Sequence, residues 1–190
     1  MGKPNNGLTD SLFCMPVHRQ TIDFISRAAH LKRPMNSIPP NLVHGTAVAL
    51  GRAGVLLRGP SGAGKSDLAL RLIDQGAALV ADDQTALARE GDEVVMRAPE
   101  ALAGMIEARG VGLLHLPRQA RACLRLVVDL VPAEQIERLP ERRSCDILGV
   151  PIPLIALAPF EASAAAKLRL ALKVLAGDEM RAVESSLVRP

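Results

Sequence analysis

The stretch Gly59-Pro60-Ser61-Gly62-Ala63-Gly64-Lys65-Ser66 constrains this chain more than any other. It is a complete G-x-x-x-x-G-K-S phosphate loop, a motif that needs a strand before it and a helix after it. Both are legible. Val55-Leu56-Leu57 reads as a buried strand, and Asp67 to Gln75 carries Leu68, Ala69, Leu72 and Ile73 on one helical face before Gly76 stops the helix. In such a loop the glycines let backbone N–H groups turn inward around phosphate oxygens, and the helix start adds its partial positive charge. Lys65 reaches the outer phosphates and the Ser66 hydroxyl ligates magnesium. A Gly-rich turn holding a lysine by accident would not need these flanks, so the chain is read as binding the phosphates of a nucleotide and Mg2+ through Gly59 to Ser66.

At 190 residues and 48% apolar, the chain suits one domain with a real core. That core must be aliphatic, because there is no Trp or Tyr and Phe13, Phe24 and Phe160 are the only aromatic carbocycles. The net charge of +3 is dispersed, with no basic run longer than two residues, as at Arg142-Arg143. Without stacking aromatics or a basic stripe, nucleic acid is a poor candidate partner. Cys14, Cys123 and Cys145 are odd in number and share no metal-like spacing, which fits free thiols in a reducing cytoplasm; Cys123 is expected to be a small buried hydrophobe within a strand. No apolar run approaches the roughly 18 residues that span a bilayer. The first residues are polar, with Asp10 and no apolar signal core, so the expectation is a soluble cytoplasmic protein with no membrane contact.

Three regions follow from the pattern: a flexible N-terminal arm over 1–40, with Met35 as a candidate internal start, a catalytic domain over 41–178, and a C-terminal tail over 179–190. Thr46 to Arg58 reads as a hairpin turning near Arg52 and Ala53, which sets His44 roughly opposite the start of the phosphate loop. Ala77 to Ala81 forms a strand ending in Asp82-Asp83, and a second hairpin turns at Glu90-Gly91-Asp92. Pro99 to Ile106 suits a short helix, and Glu107 to Gly112 a Gly-containing loop. Arg121 to Val131 alternates poorly but is apolar enough for a buried central strand. Pro132 to Cys145 is a charged loop, Asp146 to Leu157 gives short strands broken by Pro151 and Pro153, and Phe160 to Ala176 is a helix with Leu168, Ala171, Leu172 and Leu175 inward. The order of hairpins predicts a mixed, largely antiparallel sheet with flanking helices.

Phosphoryl transfer needs a cradle, a metal and a group that activates the attacking oxygen. Asp82 and Asp83 end the strand after the phosphate-loop helix. Adjacent strand residues face opposite ways, so one can serve metal or structure and the other act as base. Two solvated carboxylates at a strand end would be the bland alternative. Glu107 and Arg109 taken alone are an ordinary exposed pair, Arg138 a solvated charge, and His44 a surface histidine.

Together, however, His44-Gly45, the loop Gly59 to Ser66, Leu79-Val80-Ala81-Asp82-Asp83 and Glu107-Ala108-Arg109-Gly110-Val111-Gly112-Leu113-Leu114 resemble the catalytic domain of HPr kinase/phosphorylase over residues 41 to 175. The resemblance implies an α/β P-loop kinase fold of that type. It implies transfer of the ATP γ-phosphate to a serine of HPr, a small phosphocarrier of the sugar phosphotransferase system, and in bifunctional members reversal by inorganic phosphate with release of pyrophosphate. By that similarity Lys65 neutralises the transferring phosphoryl, Ser66 and Glu107 hold magnesium, and His44 assists near the acid pair. One of Asp82 and Asp83, with Asp83 favoured, takes the serine proton. Arg138 matches a catalytic arginine acting at a subunit boundary, within a hexamer. With about forty residues before His44, the chain resembles the short form associated with alphaproteobacteria, whose target would be an HPr-like carrier in a regulatory phosphorelay. Pro159 to Ala164 lacks the glycine-arginine pair of the family's phosphorolysis segment, so the resemblance carries the forward reaction further than the reverse. The alternatives are a nucleotide-binding regulatory sensor without turnover, which would not need the acid pair, and a small-molecule kinase, which would be built on a parallel sheet with a lid. A structural ATPase subunit would be longer.

Overall fold

The computed structural model describes residues 41–177; the expected arm over 1–40 and tail over 179–190 lie outside the described residues. Strand β3 (Ala53–Arg58) runs into the phosphate loop and helix α1 (Lys65–Asp74) leaves it, as the motif demands. Upstream, β1 (Leu42–His44) continues through Gly45 into β2 (Thr46–Leu50). Downstream, β4 (Ala78–Ala81) continues through Asp82 and Asp83 into β5 (Gln84–Glu90). These two bent ribbons pair antiparallel on both sides of their joints, with His44 opposite Gln84 and Ala47 opposite Ala81, and the register slips by one residue between Ala47 and Val48. The joints therefore face each other, and the Gly45 N–H donates to the Asp83 carbonyl at 3.1 Å.

The remaining strands are β6 (Glu93–Arg97), β7 (Met105–Ala108), β8 (Gly112–His115), β9 (Ala122–Leu130), β10 (Arg143–Ile147) and β11 (Val150–Leu157), followed by helix α2 (Ala164–Ala176). The main sheet runs β1-β5-β6-β9-β3-β2-β4, with β11 beside β9 and β10 beside β11. Because β1 leads into β2 and β4 into β5, the two ends of that order belong to one ladder, and the sheet curls around on itself. Only the β3–β9 and β9–β11 pairs are parallel, so the sheet is mixed and largely antiparallel. A separate ribbon pairs β7 with β8.

Each face of the sheet has its own core. Val48, Val55, Leu57, Leu126 and Val128 pack with Leu68 and Leu72 of α1 and Leu168 of α2. On the other face Ala47, Ala49, Leu56, Met96, Leu124 and Val127 fill the inside of the curl, and its small residues suit the tight curvature. The poor alternation of β9 has a physical cause. Gly54 stands opposite Leu124 and Val55 opposite Leu126, so Arg125 is an extra residue and the side-chain alternation flips there.

Several expectations are corrected. The first hairpin turns at Gly51-Arg52, one residue earlier than expected, since Leu50 pairs with Ala53. Pro99 to Ile106 is one 3-10 turn, Glu100–Leu102, after which the chain extends into β7. Glu107 thus lies on a strand, not in a loop. Strand β11 runs unbroken through Pro151 and Pro153. Both precede Leu154, where pairing to β9 begins, so they occupy an edge that loses no ladder bond to a missing N–H. Helix α2 starts at Ala164 rather than Phe160, and Leu175 on it is 47% exposed. Cys123 is half-buried and its thiol donates to Glu93. Among the described residues no helix is long and apolar enough to cross a membrane.

The bulge explains a glycine. A Cβ on Gly54 would stand 2.5 Å from the Cys123 carbonyl oxygen and 2.6 Å from Met96 Cε, inside both contact limits. Gly54→Ala is expected to lower stability by about 1–3 kcal/mol, the usual cost of overpacking, read from the midpoint of urea denaturation.

Candidate active site

Arg58, the last residue of β3, anchors the start of the phosphate loop. Its guanidinium grips Asp129 across the sheet with two bonds, Nε to Oδ1 at 2.8 Å and Nη2 to Oδ2 at 3.0 Å. The bond to Asp129 raises the Arg58 pKa further, with burial opposing it. Beyond the loop, Gly64 in the left-handed region caps α1, and its carbonyl accepts the first helical bond from Leu68 at 2.9 Å. Lys65 is buried, and its Nζ donates to the carbonyls of Gly59 and Pro60, both at 2.9 Å. The ammonium thereby spans the mouth of the loop with a third donor in hand.

Ser66 points toward β4. Its Oγ donates to Asp82 Oδ1 at 2.9 Å, and Thr46 Oγ1 donates to the same oxygen at 2.7 Å. Asp82 Oδ2 faces the backbone N–H of Glu107 at 3.4 Å, a long contact. Asp82 and Thr46 are buried, at 8% and 0% exposed. The ladder explains the cluster: Thr46 follows Gly45 just as Asp82 precedes Asp83, so the facing joints bring the two side chains together. Gly45 belongs to the same device, since a Cβ there would stand 2.9 Å from the Leu57 carbonyl oxygen.

Asp83 behaves differently from its neighbour. Its φ is +63°, and the Gln84 N–H donates to the Asp82 carbonyl at 2.7 Å, closing a three-residue turn around it. That conformation costs of order 1–3 kcal/mol for a residue with a Cβ. It throws the Asp83 carboxylate outward, 69% exposed, where Oδ1 lies 3.2 Å from His44 Nδ1. The two aspartates do face opposite ways, but through this kink rather than through simple strand alternation.

Of the residues singled out in the sequence, the fold joins Lys65 and, through Ser66, Asp82 to the loop Gly59 to Ser66, and sets His44 beside Asp83, the residue after Asp82. Glu107 approaches through its backbone, its carboxylate exposed on β7. Arg138 is exposed on the loop after the 3-10 turn Ala133–Gln135, and no hydrogen bond or ion pair joins it to this cluster among the described residues. Two contributors escaped the sequence reading. Thr46 was legible only from the register of β2 on β4. Arg71 was hidden in the helix as an ordinary exposed pair to Asp67, yet it also donates to the carbonyls of Pro159 and Glu161.

These elements can be set beside known proteins. The model of the HPr Serine kinase C-terminal domain matches residues 38–168, most of the chain. The chain belongs to this family. It is 38% identical over 130 residues to the HPr kinase/phosphorylases of Burkholderia lata and Burkholderia cenocepacia, an overlap of 63% of this chain and 40% of each relative. The chain thus spans well under half the length of these curated relatives. The solved structure of the Hpr(Ser) kinase/phosphatase from Coxiella burnetii matches with a TM-score of 0.61 and 26% identity, over 70% of this chain and 99% of that one. The mixed, largely antiparallel α/β fold is therefore the fold of this kinase family.

The donor set at Ser66 and Asp82 suits magnesium, which takes hard oxygen ligands and keeps waters and phosphate oxygens in its shell. Among the described residues no group of three metal-type side chains occurs.

The two aspartates should separate in a stability measurement. Asp82→Ala leaves the buried Thr46 hydroxyl without its acceptor and is expected to cost about 1–3 kcal/mol. Asp83→Gly relieves the positive φ while loosening the unfolded chain, and should change stability by less than about 1 kcal/mol. Denaturant titration of both variants checks this.

Proposed function

We propose that this chain is an ATP-dependent protein serine kinase whose acceptor is a serine of an HPr-type phosphocarrier. The observation that carries the reading is the split at the joint between β4 and β5: a buried Asp82 bonded to the phosphate-loop serine, next to an exposed Asp83 whose Oδ1 lies 3.2 Å from His44 Nδ1. A nucleotide sensor needs the first arrangement and has no use for the second. A small-molecule kinase on a parallel sheet fits less well, because the sheet here is largely antiparallel. Family membership and the names of the relatives, HPr kinase/phosphorylase, supply the acceptor.

In this reading backbone N–H groups of Gly59 to Ser66 bind the phosphates of ATP, and Lys65 turns its ammonium from the loop carbonyls toward the outer phosphoryl. The Ser66 hydroxyl and Asp82, with Glu107 as a further carboxylate, would hold magnesium, which would supply positive charge against the phosphate oxygens. Asp83 accepts the proton of the incoming serine hydroxyl as its oxygen bonds to the γ-phosphorus and the bond to the β-phosphate oxygen breaks, releasing ADP. His44 orients the Asp83 carboxylate. In the reverse direction the same carboxylate would return the proton while phosphate takes up the phosphoryl group as pyrophosphate. The absence of a glycine-arginine pair in Pro159 to Ala164 is why the forward reaction is the one proposed. Arg138, exposed and far along the chain from the loop, serves a neighbouring protomer's site in a homo-oligomer, a hexamer by family resemblance, in the cytoplasm.

Incubation with magnesium, γ-labelled ATP and an HPr-type carrier from the same genome should label a carrier serine. Asp83→Asn should lower kcat by about 10²–10⁴, the usual worth of a general base, while ATP affinity stays within a few-fold. Bound ATP with no labelled carrier would favour the sensor.

A further inference from the structure

Phe160 is 71% exposed in a chain with no Trp or Tyr. It is not loose. Arg71 of α1, itself held by Asp67 at 2.7 and 3.1 Å, donates to the carbonyls on both sides of it, at 3.3 Å for Glu161 and closer for Pro159. The clamp presses the segment on the phosphate loop. A Cβ on Gly64, whose φ is +84°, would stand 3.0 Å from Phe160 Cζ and 3.1 Å from Pro159 Cβ.

Beside the ring lies a cavity of about 640 Å³, bounded by Pro60 and Ala63 of the loop, Leu130 at the end of β9, Val131 and Pro132 just beyond it, and Phe160 itself. His44, Asp82, Asp83 and Glu107 take no part in its lining, so it is separate from the acid pair. The walls are apolar apart from Ser61 and Glu161, and Lys167 engages the Glu161 carboxylate. The volume falls within the range of small-molecule sites, about 300–1,000 Å³.

We propose that this cavity takes the purine base of the nucleotide, stacked on Phe160. The assignment rests on the nucleotide reading above and adds the base site to it. A molecule whose phosphates lie in the loop must carry its nucleoside past the loop's walls, and Pro60 to Ala63 are walls of this cavity. An aromatic face with aliphatic surroundings offers stacking, which every base accepts, and few side-chain groups that could read a base edge. Adenine and guanine nucleotides are therefore taken with similar affinity. The Arg71 clamp holds the backbone that carries the ring before the ligand arrives, so less ordering is left to oppose binding.

The test is calorimetric titration of the full chain with MgATP, MgGTP and inorganic tripolyphosphate, for the parent, Phe160→Ala and Phe160→Trp. Phe160→Ala should weaken both nucleotides about 5- to 100-fold, as loss of a base–aromatic stack does, and leave tripolyphosphate affinity unchanged. Phe160→Trp should restore nucleotide binding. Unchanged nucleotide affinity in Phe160→Ala would overturn the base site while leaving the phosphate loop intact. Equal loss of nucleotide and tripolyphosphate would also overturn it, because Phe160 would then only shape the loop. A parent protein that binds neither would overturn the nucleotide reading and this one with it.

Discussion

The carboxylate of Asp82 is the interaction on which the site depends. Burying it is costly unless its oxygens are satisfied, and two hydroxyls from two different elements meet that demand on Oδ1, Thr46 from β2 and Ser66 from the start of α1. The same bonds register the phosphate-loop helix against the curled sheet. They also spend the first aspartate on structure and on the Ser66 side, which leaves the next residue to face outward. The strained turn at Asp83 is the cost of that exposure, a conformation that Asp tolerates better than most side chains.

Packing elsewhere serves this geometry. Paired ladders bring Gly45 and Asp83 face to face, the bulge at Arg125 lets β9 face both cores, and Arg58 with Asp129 ties the strand end that enters the loop to the central strand. Arg71 carries the order one step further, from helix α1 to the segment around Phe160. Burial pushes the thiols of Cys123 and Cys145 up.

Local signals were legible where one physical rule dominated. The loop with its strand and helix, the hairpin at Gly91, and the central strand within Arg121 to Val131 all follow from glycine placement and apolar runs. What escaped depended on contacts distant in sequence. Prolines at 151 and 153 read as strand breakers, because nothing local says that one side of β11 is an unpaired edge there. Glu107 read as a loop residue, because its ribbon partner supplies the extended backbone. Thr46 gave no signal of its own; its role exists only in the register that sets it against Asp82. The acid pair was visible, yet the kink that divides its members was not, since a positive φ at Asp has no local sequence mark here.

The division of labour between the two aspartates is the centre of the account, and the magnesium dependence of ATP binding tests it most directly. Titrating magnesium against a fixed ATP concentration, Asp82→Asn should raise the cation concentration needed for half-maximal ATP binding by about tenfold or more, while Asp83→Asn leaves it near that of the parent protein. If Asp83→Asn moved the magnesium requirement and Asp82→Asn did not, the assignment of the buried carboxylate to the cation and the exposed one to the acceptor proton would be contradicted.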